Sequence, residues 1–398
     1  MPDETLVAPI EPELFDSIVA FRRDLHRHPE LSWKEERTSQ RIREELDRLG
    51  IPYESDMAGT GLLAHLEGED LSKGCIALRA DIDALPIEED TGLPFASERP
   101  GVMHACGHDG HTSILLGAAA LLAAEGSLPV PVKLLFQPAE ETGDGARAMI
   151  EEGVLKDVAM IFGGHIDRHY PLGTIVVSEG PVNASSDSFR IEIAGKGGHA
   201  ARPHETVDAV VVGSLLVIAI QTIVSREVNP AHPSVVTVGK FEAGTAHNVI
   251  SDHAYLSGTI RAQDPEVRDF LHASLRRIGA SVGDLHGAKV EVKIKEGTPA
   301  VINPVDMARI AHEAASAVVG EEKVGEMEVA NMGAEDFGYY MEKCPGCYVR
   351  FGSVAQGQEP HPAHSSLFDF DERTLGFGAA YYRKLVEVGA RHLLGSPP

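Results

Sequence analysis

Apolar residues recur at helical spacing from Phe15 to Leu49, with a break at Pro29, whose missing N–H ends a helix. Short apolar runs at Gly61–Leu66 and Cys75–Ala80 then predict strands, and Thr112–Glu125, rich in Ala and Leu, predicts a helix. Two more buried strands are expected at Pro131–Phe136 and Ala159–Phe162. Strands alternating with helices favour a mostly parallel sheet covered on both faces. From about Ser185 the pattern changes. Ser188–Ala194 alternates as a strand, Val207–Val224 is a long apolar helix, Ser234–Gly239 and Ala254–Arg261 predict strands, Pro265–Val282 a helix, and Lys289–Lys295 a last alternating strand. That β-α-β-β-α-β order describes a ferredoxin-like α+β insert. The predicted fold is therefore α/β and discontinuous, with a host domain over 1–184 and 300–398 and an inserted domain over 185–299, joined near Pro181 and Pro299.

The 398 residues, 43% of them hydrophobic, suffice for a full core and two domains. With 35 basic and 60 acidic residues the formal charge is −25, which argues against nucleic acid and anionic membranes as partners. Met1-Pro2-Asp3-Glu4-Thr5 is acidic where a secretory signal starts basic, so the expected location is cytoplasmic. Val207–Val224 has the apolarity of a membrane span, but Asp208, Ser214 and Gln221 interrupt it. A buried or interface helix is the better reading, and an exposed apolar stripe on it would favour a homodimer. Four cysteines do not make a disulfide framework. Cys75 sits in an apolar strand and is read as packing, while Cys344-Pro345-Gly346-Cys347 has redox spacing but reads first as a turn.

The densest chemistry is Met103-His104-Ala105-Cys106-Gly107-His108-Asp109-Gly110-His111-Thr112. Thiolate and imidazole are what a borderline-soft divalent ion prefers, and Cys106-Gly107-His108 offers both from one bend. Past the Pro131–Phe136 strand stand Glu140-Glu141. In extended chain such neighbours point to opposite sides, so one can hold a metal while the other faces substrate. His165 follows Gly163-Gly164 beyond the predicted strand end, where open α/β sheets gather ligands. His361-Pro362-Ala363-His364-Ser365-Ser366 supplies a further imidazole from a distant loop. Each feature alone has a bland reading, as a solvated acidic loop or a structural histidine; ligands from separated segments suit a metal site closed by the fold.

Taken in order, Arg79–Pro86, Met103–His111, Phe136–Glu141, Gly195–Ala200, and His364-Ser365 with Phe368–Glu372 resemble the aminoacylase/carboxypeptidase family of two-metal hydrolases. The resemblance is to the branch of hippurate hydrolases, auxin-conjugate hydrolases and N-acyl-L-amino acid amidohydrolases. It implies that Cys106, His108, Glu141, His165 and His364 hold two divalent ions and that Glu140 is the general base. It also implies that the host domain is the catalytic, metal-binding one and the insert a lid or dimerisation domain. His199 would stabilise the oxyanion, in its own site or a dimer partner's, and Asn248 and Arg261 would contact substrate; for Arg261 a surface ion pair is the competing reading. Asp83 is expected to hold a ligand histidine from behind, and Asp81 either does the same or is structural. Glu335, in Gly333-Ala334-Glu335-Asp336-Phe337, resembles a stretch near the pocket. Two segments depart from the branch. Asp167-Arg168-His169 stands where a Trp-Pro pair is common, and Ala363-His364-Ser365-Ser366 replaces a more usual His-Ser-Pro. Both changes bear on the shape of the acyl pocket.

The expected activity is metal-dependent hydrolysis of N-acyl amino acids by an activated water, the metals being zinc, manganese, cobalt or nickel. A carboxypeptidase or dipeptidase would share every residue named. Two further readings are a Cys106 thiolate nucleophile activated by His108 or His111 and a catalytically silent metal binder.

Overall fold

The computed structural model describes residues 7–357 and 359–395; the acidic stretch Met1–Thr5 lies outside the described residues. The chain divides into two compact units. One runs to Gly180 and resumes over Ile302–Glu328 and from Asp336; the other comprises Pro181–Val301 and Val329–Glu335.

The first unit is built on a sheet in the order Tyr53–Met57, Gly61–Leu66, Val132–Gln137, Cys75–Asp81, Val158–Pro171, Gly346–Val354, Ile175–Val176, Val324–Gly325. Its central pairings are parallel, and antiparallel strands flank them. Cys75–Asp81 is buried along its whole length, as expected of a central strand covered on both faces. The helices Pro12–Arg27, His108–Ala124, Val305–Val319 and Arg373–Leu394 contribute to the same apolar core. Three strands, Cys75–Asp81, Val132–Gln137 and Val158–Pro171, carry the segments that hold the candidate site.

Three expectations change here. The helix expected from Thr112 begins at His108, so the ligand-rich turn is its N-terminus. The strand expected over Ala159–Phe162 continues to Pro171, so His165 lies inside it, not beyond its end. Gly163 and Gly164 do not stop the strand; a Cβ on them would fall 2.8 Å from Phe337 and 2.6 Å from Phe351, so they permit close packing. Cys347 lies inside strand Gly346–Val354 and not in a turn, and all four cysteines are buried and free.

The second unit pairs Ser234–Ala243, His253–Ala262, Ser185–Ala194 and Lys289–Lys295, in that spatial order and all antiparallel. With helices Ala209–Thr222 and Pro265–His286 this is the ferredoxin-like arrangement. Alternation is strict: Phe189, Ile191 and Ile193 face the helices, while Arg190 and Ala194 are exposed. The apolar helix leaves Val210, Val211, Leu215 and Ile218 exposed, beside Phe241 on the neighbouring strand.

A buried ion cluster pins one end of this unit. Asp187 accepts from Arg268 Nε at 2.9 Å, His272 Nε2 at 2.7 Å and the Gly297 N–H at 2.9 Å. Burial alone would raise its pKa, but these partners hold the carboxyl below its ordinary value. The stability it contributes is full above the unfolded-state Asp pKa and is lost as pH falls through the depressed folded value. Asp187→Ala is expected to cost about 3 kcal/mol at neutral pH, measured by urea denaturation. Because the cluster is then gone at every pH, the variant should lose less additional stability than the parent between pH 6 and pH 3. Parallel losses would remove Asp187 as a source of the acid sensitivity.

Candidate metal centre

The five expected ligands come together within the first unit. Gly107, at φ 91°, makes the bend that presents Cys106 and His108 on its two sides. His364 also has a positive φ, 66°, and its N–H donates to Ala105 O at 2.8 Å, which ties its loop to the cysteine turn. Cys106 Sγ lies 3.3 Å from His165 Nε2, and His364 Nε2 lies 3.4 Å from Glu141 Oε1. His108 Nε2 is 3.9 Å from a carboxylate oxygen of both Glu140 and Glu141. Donor atoms of Cys106, His108 and His165, of Cys106, Glu141 and His364, and of His108, Glu140 and Glu141 each fall within 4.8 Å of one another.

The two glutamates thus correct the alternation argument. They stand in a turn opened by Ala139 at φ 56°, and both carboxylates face His108 instead of pointing to opposite sides.

Hydrogen bonding fixes which nitrogen each histidine offers. His108 Nδ1–H donates to Asp83 O at 2.9 Å and His165 Nδ1–H to Ile166 O at 2.6 Å, so each ring turns Nε2 to the common centre. Among the described residues, no hydrogen bond reaches the buried His108 Nε2 or Glu141 Oε1. Buried polar atoms of this kind are costly unless a ligand takes them up, and here both point to a cation. His111 is different. Its Nε2 accepts from the Ile166 N–H at 2.8 Å, so Nδ1–H donates to Asp81 Oδ1 at 2.6 Å and no lone pair remains for a metal. Asp81 is equally engaged, since its other oxygen accepts from Arg79 Nη1 at 2.6 Å. Asp81 therefore holds His111 and Arg79.

The electrostatics favour a cation. Burial disfavours charge on His108, yet Asp81, Cys106 and Asp83 together outweigh it and raise the imidazole well above its ordinary value. A site that draws a proton onto a buried ring will also draw a metal ion. Burial, then Glu141, push the Cys106 thiol up. Such a thiol is poorly set up as a free thiolate nucleophile and ionises when it binds a divalent ion.

The turn bearing the glutamates is held from behind by two buried carboxylates. Asp83 accepts the Glu140 and Glu141 N–H groups, one on each oxygen, both at 3.1 Å, and the Ser32 hydroxyl at 2.6 Å. Its own carbonyl holds His108, so its expected role behind a ligand is filled chiefly by the backbone. Glu35 accepts the preceding amide, Ala139 N–H, at 2.9 Å, together with the Trp33 N–H and the Thr60 hydroxyl. Three consecutive amides of a left-handed turn are thus fixed. Asp336 completes the surroundings, accepting from Arg79 Nη2 at 2.8 Å and Gln137 Nε2 at 2.9 Å, while its N–H donates to Glu140 Oε1 at 3.4 Å. Sequence reasoning missed Glu35 and Asp336. The first works through backbone 104 residues away, and the second is next to Glu335, the residue that drew attention.

His199, Asn248 and Arg261 belong to the second unit. His199 pairs with Val249 in a short ribbon, and the Ala200 N–H donates to Asn248 O at 3.2 Å, so His199 and Asn248 are neighbours. His199 Nδ1 accepts from the Ala201 N–H at 3.0 Å, which leaves the proton on an exposed Nε2. Among the described residues Arg261 makes no ion pair; its Nη1 donates to Met332 O at 2.9 Å.

A parallel-sheet unit with a buried Cys/His/Glu cluster and an inserted ferredoxin-like unit defines a metal-dependent hydrolase of amide bonds. The chain belongs to the family described as Peptidase family M20/M25/M40, which it matches over residues 77–388. It is 40% identical over 377 residues to N-acetylcysteine deacetylase of Bacillus subtilis (strain 168), covering 93% of this chain and 96% of that protein. It is 40% identical over 373 residues to thermostable carboxypeptidase 1 of Saccharolobus solfataricus, covering 92% and 94%. Among solved structures, the Bacillus subtilis YXEP protein, described as a dinuclear metal binding peptidase from the M20 family, superposes with a TM-score of 0.84 at 36% identity over 96% of this chain and 99% of its own.

Glu35→Leu is expected to weaken zinc retention against a competing chelator by roughly 10-fold or more, as loss of a group behind a ligand does. Glu35→Gln, whose amide oxygen can accept the same two N–H groups, should stay within about threefold of the parent. Zinc retention by the leucine variant equal to the parent's would show that the turn does not depend on this clamp.

Proposed function

We propose that the protein hydrolyses the amide between a small acyl or aryl-acyl group, such as acetyl or benzoyl, and an amino acid. The observation that carries this reading is the pairing of Glu140 and Glu141 against His108, with Glu141 Oε1 buried and without a hydrogen bond among the described residues. Cys106, His108, Glu141, His165 and His364 would hold two divalent ions, zinc, manganese, cobalt or nickel. Bound there, such a pair supplies Lewis acidity toward the scissile carbonyl and the attacking water. Glu140 takes the water's proton and returns it to the leaving amine. His199 offers its Nε2–H to the oxyanion, and Asn248 and Arg261 hold the substrate's free carboxylate.

The exposed stripe of Val210, Val211, Leu215 and Ile218 supports a homodimer in which a second copy covers it and His199 serves the partner's site. A metallo-carboxypeptidase is the second reading, supported by the identity with thermostable carboxypeptidase 1, and its substrates also carry a free carboxylate next to the cleaved amide.

Hippurate, N-acetyl-amino acids, an indole-acetyl-amino acid and unblocked dipeptides should be assayed after chelation and again after zinc or manganese is restored. Metal-restored cleavage of the acyl-amino acids over the dipeptides is expected; the reverse preference would establish the carboxypeptidase, and indifference to chelation would end the metal mechanism. Glu140→Gln should keep its metal and lose at least about 100-fold in turnover, the usual worth of a general base. Mixed dimers of His199→Ala with Glu140→Gln should recover activity that neither variant has alone; no recovery in verified mixed dimers would assign His199 to its own chain or to no catalytic role.

A further inference from the structure

Asp167-Arg168-His169 is the stretch to which the proposed chemistry gives no role. Arg168 lies where two parallel strands lose register: Gly352 opposes Asp167, but Val354 opposes Pro171, so three residues of one strand face a single residue of the other. A bulge of this kind re-aims side chains beside functional sites. The re-aimed Arg168 is only 7% exposed. Among the described residues its hydrogen-bond partners are two backbone carbonyls, Ser353 O at 3.5 Å from Nη1 and Glu359 O at 3.3 Å from Nη2, both long, and its buried Nε has none. No carboxylate among the described residues pairs with it within 4 Å. Burial pushes its pKa down against the pull of Asp369 and Asp371. A guanidinium so placed is strongly unfavourable unless an anion completes it.

Arg168 borders a cavity of about 330 Å³, with Thr91, Leu93 and Leu367 among its other walls. Two lining residues, His361 and Leu367, stand on either side of His364 in sequence, and Arg168 itself is three strand residues, roughly 10 Å, past His165. The cavity therefore adjoins two segments that carry candidate metal ligands. Two acids also line it. Asp369 already accepts from Arg22 Nη2 at 3.1 Å, and Glu359 is exposed on its loop, so neither neutralises Arg168 directly.

We propose that this cavity is a carboxylate subsite in which Arg168 receives a second carboxylate of the substrate, additional to the one next to the cleaved amide. The inference rests on the amidohydrolase reading above and narrows it to dianionic N-acyl amino acids. The extra carboxylate sits either on a dicarboxylic acyl group or on an acidic amino-acid side chain. The guanidinium fork suits a carboxylate, and Leu93 and Leu367 suit the methylenes that lead to it.

The test compares the metal-loaded parent with Arg168→Gln on two substrate pairs, N-glutaryl-L-alanine against N-acetyl-L-alanine and N-acetyl-L-glutamate against N-acetyl-L-glutamine. The parent should prefer the dianionic member of one pair, and which pair it is assigns the carboxylate to the acyl group or to the side chain. Arg168→Gln should raise KM for that substrate by roughly 10- to 100-fold, as loss of a charged hydrogen-bond partner does, and change the monoanionic member less than about threefold. No preference in the parent, or an equal loss on both members, would overturn the subsite. If Arg168→Gln does not fold, Leu93→Trp, which fills the cavity and keeps the arginine, is read by the same criterion. If the parent cleaves none of the four substrates, the amidohydrolase reading fails, and glutarate binding to chelator-treated protein by calorimetry decides the subsite alone. Saturable binding lost in the variant supports it, and no binding to the parent overturns it.

Discussion

The candidate metal cluster depends on the backbone and carboxylate of Asp83. Its carbonyl fixes the tautomer of His108, and its two carboxylate oxygens fix the amides of Glu140 and Glu141. One residue just past the end of a central strand thus aligns a histidine that starts a helix and two glutamates from a separate turn. Burial opposes its charge, and the nearby His108, Ser32 and the Glu141 N–H outweigh that cost and hold its pKa below the ordinary value. Together with Glu35, which accepts the Ala139 N–H, that anchor offsets the left-handed conformation of Ala139, which costs about 1–2 kcal/mol.

Around this point the protein uses buried charge in two ways. Arg79 bridges Asp81 and Asp336, and through them reaches His111 and the Gln137 side chain, so one guanidinium neutralises two carboxylates behind the site. Arg22 does the same at the N-terminal end of the helix that begins at His108, where its Nε donates to Asp109 Oδ2 at 2.8 Å and His26 Nδ1–H donates to the same oxygen at 2.8 Å. The Arg79 cluster is a closed network of the kind that rigidifies a site, whereas Asp109 Oδ1 in the Arg22 cluster is buried without a hydrogen bond among the described residues. His108 Nε2 and Glu141 Oε1 are also left without a hydrogen bond among the described residues, and their convergence with Cys106, His165 and His364 is what supports reading them as ligand atoms.

Much of this was legible in the sequence, for identifiable reasons. The change of period near Ser185 reflects a real change from a buried parallel sheet to a half-exposed antiparallel one, seen in the alternation of Ser185–Ala194. The ligand types in Met103–Thr112 declared a metal before any geometry. What failed was local geometry. Gly163-Gly164 looks like a strand end in sequence and is a close-packing device in space, and the extended-chain argument for Glu140-Glu141 could not foresee a positive φ at Ala139. Glu35 left no signal because its partner is a main-chain N–H, identical in every residue but proline. Choosing Glu335 over Asp336 shows the same limit, since two adjacent acids are equivalent until their partners are known.

The central claim is that Cys106, His108, Glu141, His165 and His364 form one two-ion site with the cysteine as a ligand. Zinc-edge X-ray absorption on fully loaded protein tests it most directly. Two zinc ions per chain, with a Zn–S path near about 2.3 Å that disappears in Cys106→Ala, is the result this account predicts. A loaded protein whose zinc shows only nitrogen and oxygen neighbours would contradict it.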